Sequence, residues 1–152
     1  MPDTSQTTLS LYTLAVEMAD RVSARRGTAN QFYLTLETFI LGVPATFGWI
    51  DQGSATSSAS VSGFAAVGIL VGIVWWLQLR SYRHLNRAKF RVILDLEREM
   101  LPVALFEREW EHLKHSSRQG WRGRYVELGW VEAWVPWTFV LVNLGLIINE
   151  TL

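Results

Sequence analysis

The run Val61–Leu79, VSGFAAVGILVGIVWWLQL, contains no charged residue. As a helix it covers roughly 28 Å, close to the ~30 Å hydrocarbon thickness of a bilayer. A segment of this kind either spans a membrane or forms the core helix of a soluble protein. Two further runs have similar length. Phe32–Ile50 is interrupted only by threonines and Glu37, and Trp130–Ile148 carries Glu132 in its first turn and Pro136 within it. Eight tryptophans and a mean hydropathy of +0.14 favour the membrane alternative, because indoles concentrate at the lipid–water boundary. The expectation is an all-α integral membrane protein, a single domain over 1–152, with transmembrane helices at 32–50, 61–79 and 130–148.

Charge placement orients these spans. The formal net charge is zero, which argues against nucleic acid as a partner. Arg21, Arg25 and Arg26 precede the first run, and every other Lys and Arg falls between Arg80 and Arg124. The turn DQGSATSSAS (51–60) has none. Basic residues flanking a span stay on the cytoplasmic side, so the N-terminus and residues 80–124 are expected in the cytoplasm. The turn and the C-terminus are then expected outside. Trp75 and Trp76 near the cytoplasmic end of the second run, Trp130 and Trp134 near that end of the third, and Trp49 at the outer end of the first are placed as interface anchors. The polar start, MPDTSQTTLS, lacks the basic and apolar regions of a signal peptide, so insertion is expected to use the internal segments.

The remaining segments read as a cytoplasmic helical layer. In 5–27, Leu9, Tyr12, Val16 and Ala19 share one stripe and Leu11, Leu14, Met18 and Val22 a neighbouring one, a wide apolar face at helical spacing. Its mixed charges, Glu17, Asp20, Arg21 and Arg25, favour packing on other helices over lying on lipid. The second run has no helix breaker from Val74 to Leu101, which predicts one rod continuing to about residue 100. Pro102 disfavours continuation, and a short helix at 104–114 presents Phe106, Trp110 and Leu113 on one face.

No catalytic constellation emerges, and a non-enzymatic role without cofactor or metal is expected. The absence of cysteine removes thiol nucleophiles and thiolate metal sites. His112 and His115 with Glu111 permit a surface zinc site geometrically, but a solvated helix end explains them as well. The serines of the 51–60 turn have no histidine on their side of the membrane. Trp121, Arg122 and Arg124 suit lipid headgroups, a placement the charge pattern already accounts for. Gly68 and Gly72 form a GxxxG pair that lets helices approach closely, within the chain or between subunits. Glu37 is the sharpest polar feature, ~9 Å from the cytoplasmic face if the span begins near Gln31. Antiparallel pairing sets it level with Gly72, and parallel pairing level with Trp137 and Thr138, an indole N–H and a hydroxyl that suit a carboxylate. Hydrogen bonding between helices is the expected role; a proton-linked or ion-lining group is the alternative.

The stretches ARRGTANQFYLTLETFI, WWLQLRSYRHLNRAKFRVILDLE, the Leu101–Pro102 step, FEREW and VEAWVPW together resemble the RipA family of bacterial inner-membrane proteins, over residues 15 to 140. The resemblance implies a homo-oligomer, an octamer, with cytoplasmic helices, and carries over no catalytic residue. It suggests a membrane scaffold or pore-like assembly linked to envelope or stress adaptation. A looser likeness in organisation to SLATT membrane effectors suggests a membrane-perturbing component of a defence system, though a third span departs from that two-span plan. A membrane-bound enzyme is the remaining alternative.

Overall fold

The computed structural model describes residues 4–50, 55–100, 104–117 and 131–151. Among them the elements are all helical: α1 (Thr4–Ile50), α2 (Ala55–Met100), α3 (Leu105–Ser117) and α4 (Val135–Thr151). The segments 5–27 and 32–50 run on as the single helix α1, since Gly27, the weakest helix former at their junction, costs only about 1 kcal/mol. The third apolar run begins as helix at Val135, after a turn at 133–134, so Pro136 falls in a first turn, where a missing N–H has no consequence. By length and composition, one described helix suffices to cross a membrane, the part of α2 from Ser60, and only 22% of its most apolar window is buried. A soluble core helix would be mostly covered. The apolar part of α4, Val135–Asn149, is shorter.

The chain divides into two compact units. One comprises residues 26–81 and 129–152. Within it Arg26 pairs with Glu132 at 3.4 Å, and Glu37 with Asn143 at 3.4 Å, so α1 and the 131–151 segment run parallel. Asn30 meets Trp75 and Glu37 lies beside Gly72, so α1 and α2 are antiparallel. The face of α2 that looks inward is Ala65, Gly68, Gly72, Trp75 and Leu79, all buried and spaced three and four apart.

The other unit comprises residues 1–25 and 82–128. Ala19 and Val22 of α1 and Ile93 of α2 are buried there, and the most enclosed polar group is Glu97, 1% exposed. Its Oε1 accepts from the Tyr12 hydroxyl at 2.8 Å and the Phe106 N–H at 3.1 Å, and its Oε2 from the Glu107 N–H at 3.3 Å. A helix leaves its first N–H groups without internal partners and carries partial positive charge at that end. The Glu97 carboxylate therefore caps α3 from a neighbouring helix. Phe106 packs edge-on against Phe90 at 6.0 Å, and Arg98 bonds Glu107 at 2.6 Å on the surface. That guanidinium holds the Glu107 carboxyl below its usual range, but an exposed ion pair of this kind adds little to stability. Trp110 and Leu113, expected beside Phe106, lie outside the described side chains.

Burial, then the hydrogen bond to Glu97 and its charge, push the Tyr12 phenol from 10.0 up to about 12. The folded state thus holds this proton more tightly than the unfolded chain. The associated stability is complete below pH 10.0 and is lost as pH rises toward 12. Thermal unfolding against pH is expected to show this alkaline loss in the wild type and not in Tyr12→Phe. Glu97→Ala strands the donors it satisfies, and is expected to cost about 2–3 kcal/mol, roughly what hydrogen bonds to a charged group contribute. Hydrogen exchange at the Phe106 and Glu107 amides should accelerate in that variant before the rest of α2 responds.

Candidate functional site: a buried carboxyl–amide pair between three helices

Glu37 and Asn143 are both 0% exposed, in surroundings otherwise dominated by apolar side chains. Their enclosure follows from what α2 does not have. A Cβ at Gly68 would stand 2.6 Å from the Asn143 amide, and one at Gly72 would stand 2.7 Å from Val140 Cγ2, 3.3 Å from the Pro136 carbonyl and 3.5 Å from Glu37 Oε1. Real Cβ atoms do not make contacts as short as the first two. Glycine at both positions thus lets α4 come close enough for the Asn143 side chain to lie against the α2 backbone. Gly68 and Gly72 serve a contact within the chain.

Asn143 Nδ2 donates to the Phe139 carbonyl at 2.9 Å and to Glu37 Oε2 at 3.4 Å. Glu37 Oε1 and Asn143 Oδ1 have no hydrogen-bond partner among the described residues. The arrangement is short of donors: two acceptor oxygens remain, and one amide nitrogen serves two others. No group of three or more potential metal ligands occurs among the described residues. What the geometry supplies is a polar tie across three helices.

Trp137 and Thr138, expected as the partners of Glu37, do not meet it. The Thr138 hydroxyl donates to the Val135 carbonyl of its own helix at 2.7 Å, and Trp137 stands edge-on to Trp76 at 5.8 Å and is 40% exposed. Two physical reasons account for the difference. Arg26 and Glu132 bond with the same separation of 106 residues as Glu37 and Asn143, which sets the third segment several residues nearer the start of α1 than aligning the apolar runs implies. Further, Pro136, Val140 and Asn143 share one helix face at i, i+4 and i+7, whereas Trp137 and Thr138 point roughly 100° and 200° away from Pro136. Asn143 was legible in principle, being a lone amide in the apolar run VLVNLGL. The logic that singles out Glu37 applies equally to it.

The tryptophans divide by face. Trp75, expected as an anchor, is inside the bundle at 3% exposure, its indole N–H donating to Asn30 Oδ1 at 2.9 Å and its ring stacked on Tyr33 at 5.8 Å. It sits on the inward stripe of Gly68 and Gly72, which a count of depth along the helix cannot reveal. Trp76 lies on the flank, with the Arg80 guanidinium over its ring at 5.6 Å. Arg80 is thus engaged near the helix surface and does not reach Glu37. Trp134 is 56% exposed; Trp130 and the Trp49 side chain lie outside the described residues.

Substituting Glu37 distinguishes a packing role from an ionisation role. Gln at this position offers an N–H to the unpartnered Asn143 Oδ1 and retains an oxygen for Nδ2. Glu37→Gln is therefore expected to unfold in detergent at the wild-type midpoint or above it. Glu37→Leu, which isolates the Asn143 amide, should lose about 1–3 kcal/mol. A destabilising Gln with a tolerated Leu would contradict the packing role. Gly68→Ala and Gly72→Ala are each expected to cost about 1–3 kcal/mol by overpacking, while Gly145→Ala, with nothing within 4 Å of its Cβ, should leave the midpoint unchanged or raise it.

No curated protein and no solved structure matches the chain. Over residues 9–152 it matches the family described as the octameric membrane protein family (8xMP), in agreement with the RipA resemblance. A match of that extent, carried by a chain with a long exposed apolar helix, makes it a member of the octameric membrane protein family.

Proposed function

We propose that the protein is a non-enzymatic homo-octameric scaffold of the bacterial inner membrane. The carrying observation is membership, over nearly the whole chain, of a family of octameric membrane proteins. In this reading the chain crosses the bilayer at 32–50, 61–79 and 130–148, with the N-terminus and residues 80–124 in the cytoplasm and the C-terminus outside. The charge distribution supports that orientation, since every Lys and Arg falls in the two segments assigned to the cytoplasm. The helix that carries the third span, α4, is ~26 Å long over Val135–Thr151. A slightly short span is accommodated by local thinning of the bilayer at modest cost.

A scaffold is favoured over a conducting pore by the position of the strongest polar group in the apolar part. Glu37 is enclosed by the chain's own α2 and α4, held by Asn143 and backed by Gly72. A permeation path needs polar groups that face water, and this one faces protein. A role in envelope or stress adaptation would then be exerted by organising lipid or partner proteins around the assembly.

Native mass measurement of the detergent-solubilised protein is expected to give eight copies, and any other defined stoichiometry would refute the octamer. Reconstituted wild type is expected to leave liposomes ion-tight. Sustained conductance would replace the scaffold by the pore-like reading and leave the octamer intact.

A further inference from the structure

Leu11, Leu14 and Met18 of α1 are 52%, 50% and 45% exposed. At i, i+3 and i+7 they form one stripe; its next member, Val22, is buried, as is Ala19 on the neighbouring stripe. They belong to the unit made of residues 1–25 and 82–128, where most of the chain's charges lie. In the apolar unit, exposure of large side chains is what lipid contact requires. In a charged, water-facing unit a row of half-exposed Leu and Met signals a surface that another body covers.

We propose that this stripe is a subunit interface: in the octamer, a neighbouring copy of the chain covers Leu11, Leu14 and Met18. The inference rests on the octameric reading above and adds to it the surface that makes the contact. Two observations select a second copy over a lipid surface. First, the chain belongs to an octameric family. A closed ring joins unlike surfaces of successive subunits, so each subunit must present a patch that its own fold leaves uncovered. Second, the stripe is bordered by Glu17, which pairs with Arg21 at 3.5 Å, and Asp20 lies on the same helix. Helices that lie on anionic bilayers are lined by Lys and Arg. The border of this stripe instead carries both signs, with Glu17 paired to Arg21, which suits the mixed charges of another protein copy better than an anionic surface.

The test is site-specific photo-crosslinking in native membranes. A benzophenone amino acid is placed at Leu14 or Met18 in the full chain, with Thr13, exposed on a different sector of α1, as the control position. Irradiation is expected to give dimers and a ladder of higher species from Leu14 and Met18, and little from Thr13. In parallel, the Leu14→Ser/Met18→Ser variant should shift from eight copies to smaller species in native mass measurement. If the wild type is octameric but Leu14 and Met18 crosslink to lipid, or form no inter-subunit adduct, this interface is refuted while the octamer stands. If the wild type is not octameric, both fall together. Where the serine variant fails to fold, the crosslinking arm alone decides.

Discussion

The contact between Glu37 and Asn143 organises the apolar part of the molecule. A carboxyl and an amide removed from water are costly unless they find partners, and here the Asn143 Nδ2 serves both the Phe139 carbonyl at 2.9 Å and Glu37 Oε2 at 3.4 Å. The pair can close only if α2 presents no side chain between them, and that is the condition Gly68 and Gly72 meet. α1 and α4, distant in sequence, are thereby tied at one level against α2. Apolar packing alone would give these helices cohesion without choosing among registers, because Leu, Val and Ile contacts look alike when one helix slides or turns. The polar tie removes that freedom.

The unit of residues 1–25 and 82–128 uses the same device with different chemistry. Glu97 is buried among donors: a phenol from α1 and two backbone N–H groups at the start of α3. The carboxylate fastens a 13-residue helix that, at that length, has little stability of its own in water. In each unit one acidic side chain, buried and bonded across helices, specifies the arrangement, and apolar surface supplies the bulk of the cohesion.

Much of this was legible in the sequence, for identifiable reasons. The charge-free run at 61–79 announces a membrane helix through composition, which needs no knowledge of partners. Glu37 stands out because a single charge in an apolar run is conspicuous, and its level with Gly72 follows from counting along antiparallel helices. The partners were harder. Trp137 and Thr138 were reasonable by depth, but depth ignores the direction in which a side chain points and assumes that apolar runs begin at a common plane. Trp75 illustrates the same point: depth marks it as an anchor, while its place on the stripe of Ala65, Gly68 and Gly72 turns it inward. Glu97 gives no local signal at all. It lies in an ordinary charged stretch, DLEREM, and only the arrival of Tyr12 and α3 distinguishes it from its neighbours. The continuity of α1 was hidden because its two halves differ in polarity, which reports on surroundings rather than on where a helix ends.

The two ties between α1 and the 131–151 segment have a mechanical consequence. Arg26–Glu132 and Glu37–Asn143 are offset equally in sequence and lie about three helical turns apart. A slide of one helix past the other lengthens both contacts together, so it is opposed at two levels at once. The two segments are joined like the rails of a ladder with two rungs. A movement that keeps both rungs intact carries the two segments as one body.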